Sequence, residues 1–121
     1  GGLGTNSIAE GYGPMRALVG EFIFTFLLML VVFESSEVEA PASAVAVICI
    51  GLAVFLAHVV LIPVDGCSIN PTRSFGPSFV LMLRDSKEGN KAEFFADHWV
   101  FWVGPLVGAV AAAGVHKLFT L

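Results

Sequence analysis

The residues best suited to chemistry lie together in Asn70-Pro71-Thr72-Arg73-Ser74-Phe75-Gly76-Pro77. Asparagine is a preferred N-cap and proline is favoured at the first helical position, so Asn70 and Pro71 mark a helix start by two independent signals. The cap oxygen accepts a backbone N–H from the first turn, which leaves the Asn70 amide NH2 free to donate outward. Aligned peptide dipoles place roughly half a positive charge at that end, and Arg73 adds a full charge one turn in. A path past these groups suits a molecule that offers an oxygen lone pair, and it opposes sodium, potassium and hydronium. The expected cargo is small, neutral and oxygen-bearing. An isolated Asn-Pro would merely cap a helix, and an isolated arginine would snorkel to a membrane edge. Here the arginine falls inside an apolar segment, where a charge is costly and marks function.

Other polar side chains interrupt apolar runs. Glu21, with Thr25 one turn on, needs a partner, because an unpaired buried carboxylate is expensive. His58 taken alone reads as a core histidine hydrogen-bonded to a neighbouring span, and Cys67 as a small, nearly apolar wall residue. An intramembrane enzyme with Cys67 as nucleophile and His58 as base would require a third group to orient the base, and none is evident. Arg16 reads as snorkelling near the membrane edge, and His98 and His116 as interfacial. Cys49 and Cys67 have neither metal-ligand spacing nor the density of a disulfide framework, so no metal or cofactor is expected.

The elements that must position these residues are helical. Residues 14–33, 41–62 and 98–119 form three apolar runs, each of about 20 residues, the length of helix that crosses a hydrocarbon core of about 30 Å. Pro41 suits the start of the second, and Trp99 and Trp102 stand where an aromatic belt would place them in the third. Residues 70–83 are apolar after their first turn but too short to cross, as expected of a re-entrant half-helix within the connection 63–97. Backbone at membrane depth is tolerated only when enclosed by protein or lining a wet cavity, so the neighbouring spans must surround it. Gly104, Gly108 and Ala112, and likewise Ala53 and Ala57, recur at every fourth position, a spacing that lets helices approach closely. Residues 1–13 and 34–40 read as polar loops.

Composition agrees. The 121 residues are 56% hydrophobic and 13% charged, and the net charge of −4 offers no basic stripe, so nucleic acid is not an expected partner. The mean hydropathy is +0.85, and the lipid bilayer is the expected surrounding. Loop charge gives no positive-inside vote, since Arg84, Lys87 and Lys91 are offset by Asp85, Glu88, Glu93 and Asp97. The chain opens Gly1-Gly2-Leu3 without a methionine, which reads as an internal starting point.

With Asn70-Pro71-Thr72-Arg73-Ser74-Phe75-Gly76 the chain resembles the second half of an aquaporin, whose signature there is Asn-Pro-Ala followed by Arg-Ser-Phe-Gly. Leu3-Gly4-Thr5-Asn6, Gly20-Glu21 and His98-Trp99-Val100-Phe101-Trp102-Val103-Gly104-Pro105 match as well. The resemblance implies an all-α membrane protein, the aquaporin-like inverted-repeat bundle, of which this chain would supply the second repeat: three transmembrane helices plus one re-entrant half-helix. It implies a passive water-selective channel, with water as permeant, an aromatic-bearing first repeat outside this chain, association as a homotetramer, and a multi-pass position in the plasma membrane or an internal one.

Carried over by position, Asn70, Pro71 and Thr72 would form the pore centre, His58, Cys67 and Arg73 the selectivity filter, and Glu21 with Thr25 the support of the re-entrant loop. The resemblance favours water over glycerol on three points: bulky His58, Ser74 after the arginine, and Phe101-Trp102. A broader pore passing glycerol, urea or peroxide, and a non-conducting structural half-channel, remain open alternatives. Cys67 would make the passage sensitive to mercurials. Thr72 departs from the family's alanine, adding volume and a hydroxyl where two half-helices should touch. The short acidic loop 34–40 lacks a longer gating loop, so gating does not carry over.

Overall fold

Three stretches of apolar side chains broken by few charges leave the backbone little choice but to bond to itself, and helices result. The structure, a computed structural model, describes residues 2–36, 43–84 and 95–121. It contains α1 (Pro14–Ser36), α2 (Ser43–Asp65), α3 (Pro71–Arg84) and α4 (Val100–Phe119). Helices α1, α2 and α4 are each long and apolar enough to cross a membrane. The 14 residues of α3 rise only about 21 Å, short of the hydrocarbon thickness. The residues described in each element are helical, with no strand among them. Pro41, the acidic residues Glu37 and Glu39, and the charges from Asp85 to Glu93 lie outside the described residues.

The helix ends differ from the sequence expectation in one informative place. The second span runs to Asp65, past the expected end at residue 62 and through Pro63. A proline in the last turn removes one helical donor without stopping the turn. The stop comes at Gly66, whose φ of +82° is the left-handed conformation of a glycine that ends a helix. Its N–H donates to the Ile62 carbonyl at 3.1 Å.

Helix α1 is the hub, packing against both α2 and α4. Its buried residues Ala17, Glu21 and Thr25 repeat every fourth position and so share one face. On α4, Gly104, Gly108 and Ala112 are all buried, Gly104 meeting Glu21 and Gly108 the backbone of Phe22 and Phe26. A Cβ on Gly108 would stand 2.5 Å from the Phe22 carbonyl oxygen, and one on Gly104 would stand 2.8 Å from the Glu21 Cβ. The small-residue spacing in α4 is therefore the α1–α4 seam, where backbones approach too closely for any side chain. Ala53 and Ala57 are buried in α2, and Ala57 packs with Leu61, Cys67 and Ile69.

The half-helix α3 rests on α4 through aromatic rings. Phe75 stacks on Phe79 at 5.6 Å and meets Trp102 edge-on at 6.3 Å. His98, read from sequence as interfacial, is buried, its Nε2 lying 3.2 Å from Ser78 Oγ on α3. A polar pairing across the chain fold thus replaces the expected contact with the membrane edge.

Candidate functional site

At the start of α3, Asn70 Oδ1 accepts from the Thr72 N–H at 3.0 Å and from the Arg73 N–H at 3.4 Å. That is the N-cap geometry in which a side-chain oxygen satisfies first-turn donors. The Thr72 hydroxyl donates to the same oxygen at 2.7 Å. With Oδ1 so loaded, the amide nitrogen is the group left to face outward on an exposed residue. Thr72, the departure from the family pattern, is tied into the cap itself.

Arg73 is fixed from the far end of the chain. Its Nη1 donates to the Gly4 carbonyl at 2.6 Å and to Asn6 Oδ1 in a short contact. Asn6 is buried, and its Nδ2 donates to the Asp65 carbonyl at 3.1 Å. An arginine has donors only, so the atom of Asn6 facing it must be the oxygen, and the nitrogen is then the one that reaches Asp65. Ser74 Oγ lies 2.8 Å from the same Asn6 oxygen and 2.5 Å from Ser68 Oγ. The loop before α1 thus holds the guanidinium and the turn before α3 in one network.

That turn, residues 66–69, has an unusual backbone. Cys67 and Ile69 have φ of 56° and 48°, left-handed values on residues with side chains. Alternation of this kind points successive N–H groups the same way and makes an anion-binding concavity. The anions are supplied by the protein. Cys67 N–H donates to Asp65 Oδ1 at 2.9 Å, Ser68 N–H to Glu21 Oε1 at 2.6 Å, and Ile69 N–H to Glu21 Oε2 at 2.5 Å. Glu21 and Asp65 are both 0% exposed. A carboxylate with charge-assisted bonds from two backbone donors offsets strain of about 1–3 kcal/mol per left-handed residue. Thr25, one turn from Glu21, is buried with no hydrogen-bond partner for Oγ1 among the described residues.

His58, Asn70 and Arg73 line a cleft of about 230 Å³, together with Leu28, Val54, Ser68 and Ile69. His58 Nδ1 lies 2.8 Å from the Val54 carbonyl. A carbonyl only accepts, so Nδ1 carries the hydrogen and Nε2 is left for the cleft. Cys67 is absent from this lining: it is fully buried, packed with Ala57, Leu61 and Ile69. Of the residues singled out by sequence, three share one cleft, Glu21 braces its floor, and Cys67 lies behind the wall. The wall sets polar groups from His58, Asn70 and Arg73 beside an aliphatic side from Leu28, Val54 and Ile69.

Two contributors escaped the sequence reading. Asn6 appeared there only as part of a matching lead-in, and its partners lie 59 to 68 positions away. Asp65 left one local signal, an aspartate followed by glycine just past an apolar run, which suits an Asx turn.

The family model for Major intrinsic protein matches residues 1–116. Similar relatives include a protein named probable aquaporin PIP2-8 from Arabidopsis thaliana, 40% identical, with 96% of this chain and 41% of the relative covered. Another, named aquaporin PIP-type, from Atriplex canescens, is 41% identical over 96% of this chain and 40% of its own length. Aquaporin PIP2-1 from Arabidopsis thaliana is 40% identical, over 96% and 39% respectively. The chain thus spans about two fifths of the length of these curated relatives. Spanning helices, an Asn-Pro half-helix between the second and third of them, and this match over nearly the whole chain agree: the chain belongs to the major intrinsic protein family, the membrane channels that include the aquaporins.

Proposed function

We propose that this chain forms one half of a water-selective transmembrane pore that excludes protons and ions, completed by a first repeat carrying a second Asn-Pro half-helix. The observation that carries the reading is the meeting of His58, Asn70 and Arg73 around the N-terminus of α3 in one small cleft. Water passing Asn70 would turn its oxygen toward the amide donor and toward the positive helix end, and its hydrogens away. A hydronium or metal cation would meet the fixed charge of Arg73, in a setting where water screens it poorly. Bulky His58 opposite Arg73 would keep the opening below the width of glycerol. Helix lengths and relatives support an integral multi-pass membrane protein. The reading extends to a homotetramer in the plasma membrane, each subunit with its own pore.

Stopped-flow light scattering on proteoliposomes holding the full-length protein tests this. Fast osmotic shrinkage with a low activation energy and without glycerol entry is the expected result. Glycerol entry matching that of a known glycerol facilitator would overturn water selectivity, and a proton leak that follows water flux would overturn ion exclusion.

A further inference from the structure

A second concavity lies on the far side of α1 from the cleft. Leu18, Val19 and Phe22 of α1 and Val103, Gly104 and Val107 of α4 line a groove of about 180 Å³. None of these residues carries a polar side chain. The groove owes its depth to Gly104, which has no side chain to fill the seam between the two helices. Leu28, the α1 residue of the cleft, follows Val19 by nine positions, about two and a half turns, so the two point opposite ways. Closing the cleft with a further repeat does not by itself cover this groove.

Gly104 lies against Leu18 and Phe22, and Gly108 against Phe22 and Phe26, so α1 and α4 run parallel and begin at the same end. At that end Arg16 stands one turn before Val19, and Trp99 one turn before Val103. Both are exposed, and no acid pairs with Arg16 among the described residues. On α1 the lining runs from about 6 Å to about 12 Å below the first residue of the helix. A cation and a tryptophan mark the level of lipid headgroups, and apolar surface beneath them lies among acyl chains. A helix with its side chains is about 10–12 Å across, too wide to enter a groove of this volume, whereas an acyl chain is slender enough. We propose that the groove is a binding site for a phospholipid, one acyl chain lying between α1 and α4 and the phosphate meeting the guanidinium of Arg16. The planar fork of arginine can donate two hydrogen bonds to phosphate oxygens. The lipid fills the seam over Gly104, and its phosphate supplies the counter-charge for Arg16.

Lipid binding of this kind goes beyond the water pore and requires only that α1 and α4 span the membrane. Native mass spectrometry tests it on the purified full-length protein, delipidated and titrated with dioleoylphosphatidylglycerol or with dioleoylglycerol. The wild type should hold the phospholipid about fivefold more tightly than the diacylglycerol, which has the same chains and no phosphate. Arg16→Gln should erase that preference, and Arg16→Lys should keep most of it. Val107→Phe, a change at a half-exposed position that lines the groove, should weaken binding of both lipids and leave the melting temperature of the lipid-free protein unchanged. Equal binding of the two lipids by the wild type, or a preference that survives in Arg16→Gln, would overturn the phosphate contact. A Val107→Phe protein that binds both lipids as the wild type does would place them elsewhere on the surface and defeat the groove. Dissociation of the oligomer in Val107→Phe, with lipid binding unchanged, would assign the groove to a neighbouring copy instead. Water permeability enters none of these readings, so the pore can fail while the lipid site stands, and the reverse.

Discussion

Arg73 depends on residues 67 and 69 positions away. Asn6 holds the guanidinium on one side and the Asp65 carbonyl on the other, so Asn6→Ala would strip that carbonyl of its side-chain donor and leave the guanidinium to Gly4 alone. The expected cost is about 1–3 kcal/mol for stranded buried groups, read as a lowered melting temperature and a several-fold loss of water permeability. Unchanged values for both would show that Gly4 alone fixes the arginine. Thr72 offers a finer contrast. Its hydroxyl is a third donor on the cap oxygen of Asn70. Thr72→Ala should therefore cost about 0.5–1.5 kcal/mol of stability while leaving the half-helix in place, checked by thermal melting and by circular dichroism. Cys67 is fully buried against Ala57, Leu61 and Ile69, so mercurial block should develop slowly and require opening of the turn. Immediate block at stoichiometric reagent would put the thiol in the path.

At the scale of the element, the α1–α4 seam sets the tolerance of the fold. Gly108→Ala would drive a methyl to 2.5 Å from a backbone oxygen, which cannot swing aside. A loss of about 1–3 kcal/mol follows. Gly114→Ala meets nothing within 4 Å and should be neutral or stabilising by up to about 1 kcal/mol. Comparing the two melting temperatures checks the seam, and equal losses would contradict it. The half-helix was readable in the sequence because its start rests on Asn70 and Pro71, a local signal, and its shortness on counting apolar residues. The small-residue spacing in α4 was equally readable, but not the helix it faces, since periodicity names a face and not its partner. Asn6, Asp65 and buried His98 were opaque for one shared reason. Their roles come from contacts with residues far along the chain, and nothing in the neighbouring residues encodes them.

On the scale of the molecule, the cleft has one wall. Its lining comes from α1, α2, the 66–69 turn and α3, while large apolar side chains such as Val47, Phe55 and Leu106 face outward. Residues 1–121 reconstituted alone should therefore insert into lipid yet conduct no water above background, and conduction should return when the first repeat is supplied with them. Water flux from this chain alone would show that copies of it can close a pore together. The left-handed turn has a further consequence, one of timing. Cys67 and Ile69 adopt their backbone without glycine; Glu21, 47 and 48 positions earlier, accepts from Ser68 and Ile69, while Asp65 accepts from Cys67. The turn cannot keep that shape until α1 and the end of α2 have met. During folding the 66–69 turn is therefore shaped late, after the helices that surround it, and an inserted but unpacked chain has spans without the formed cleft.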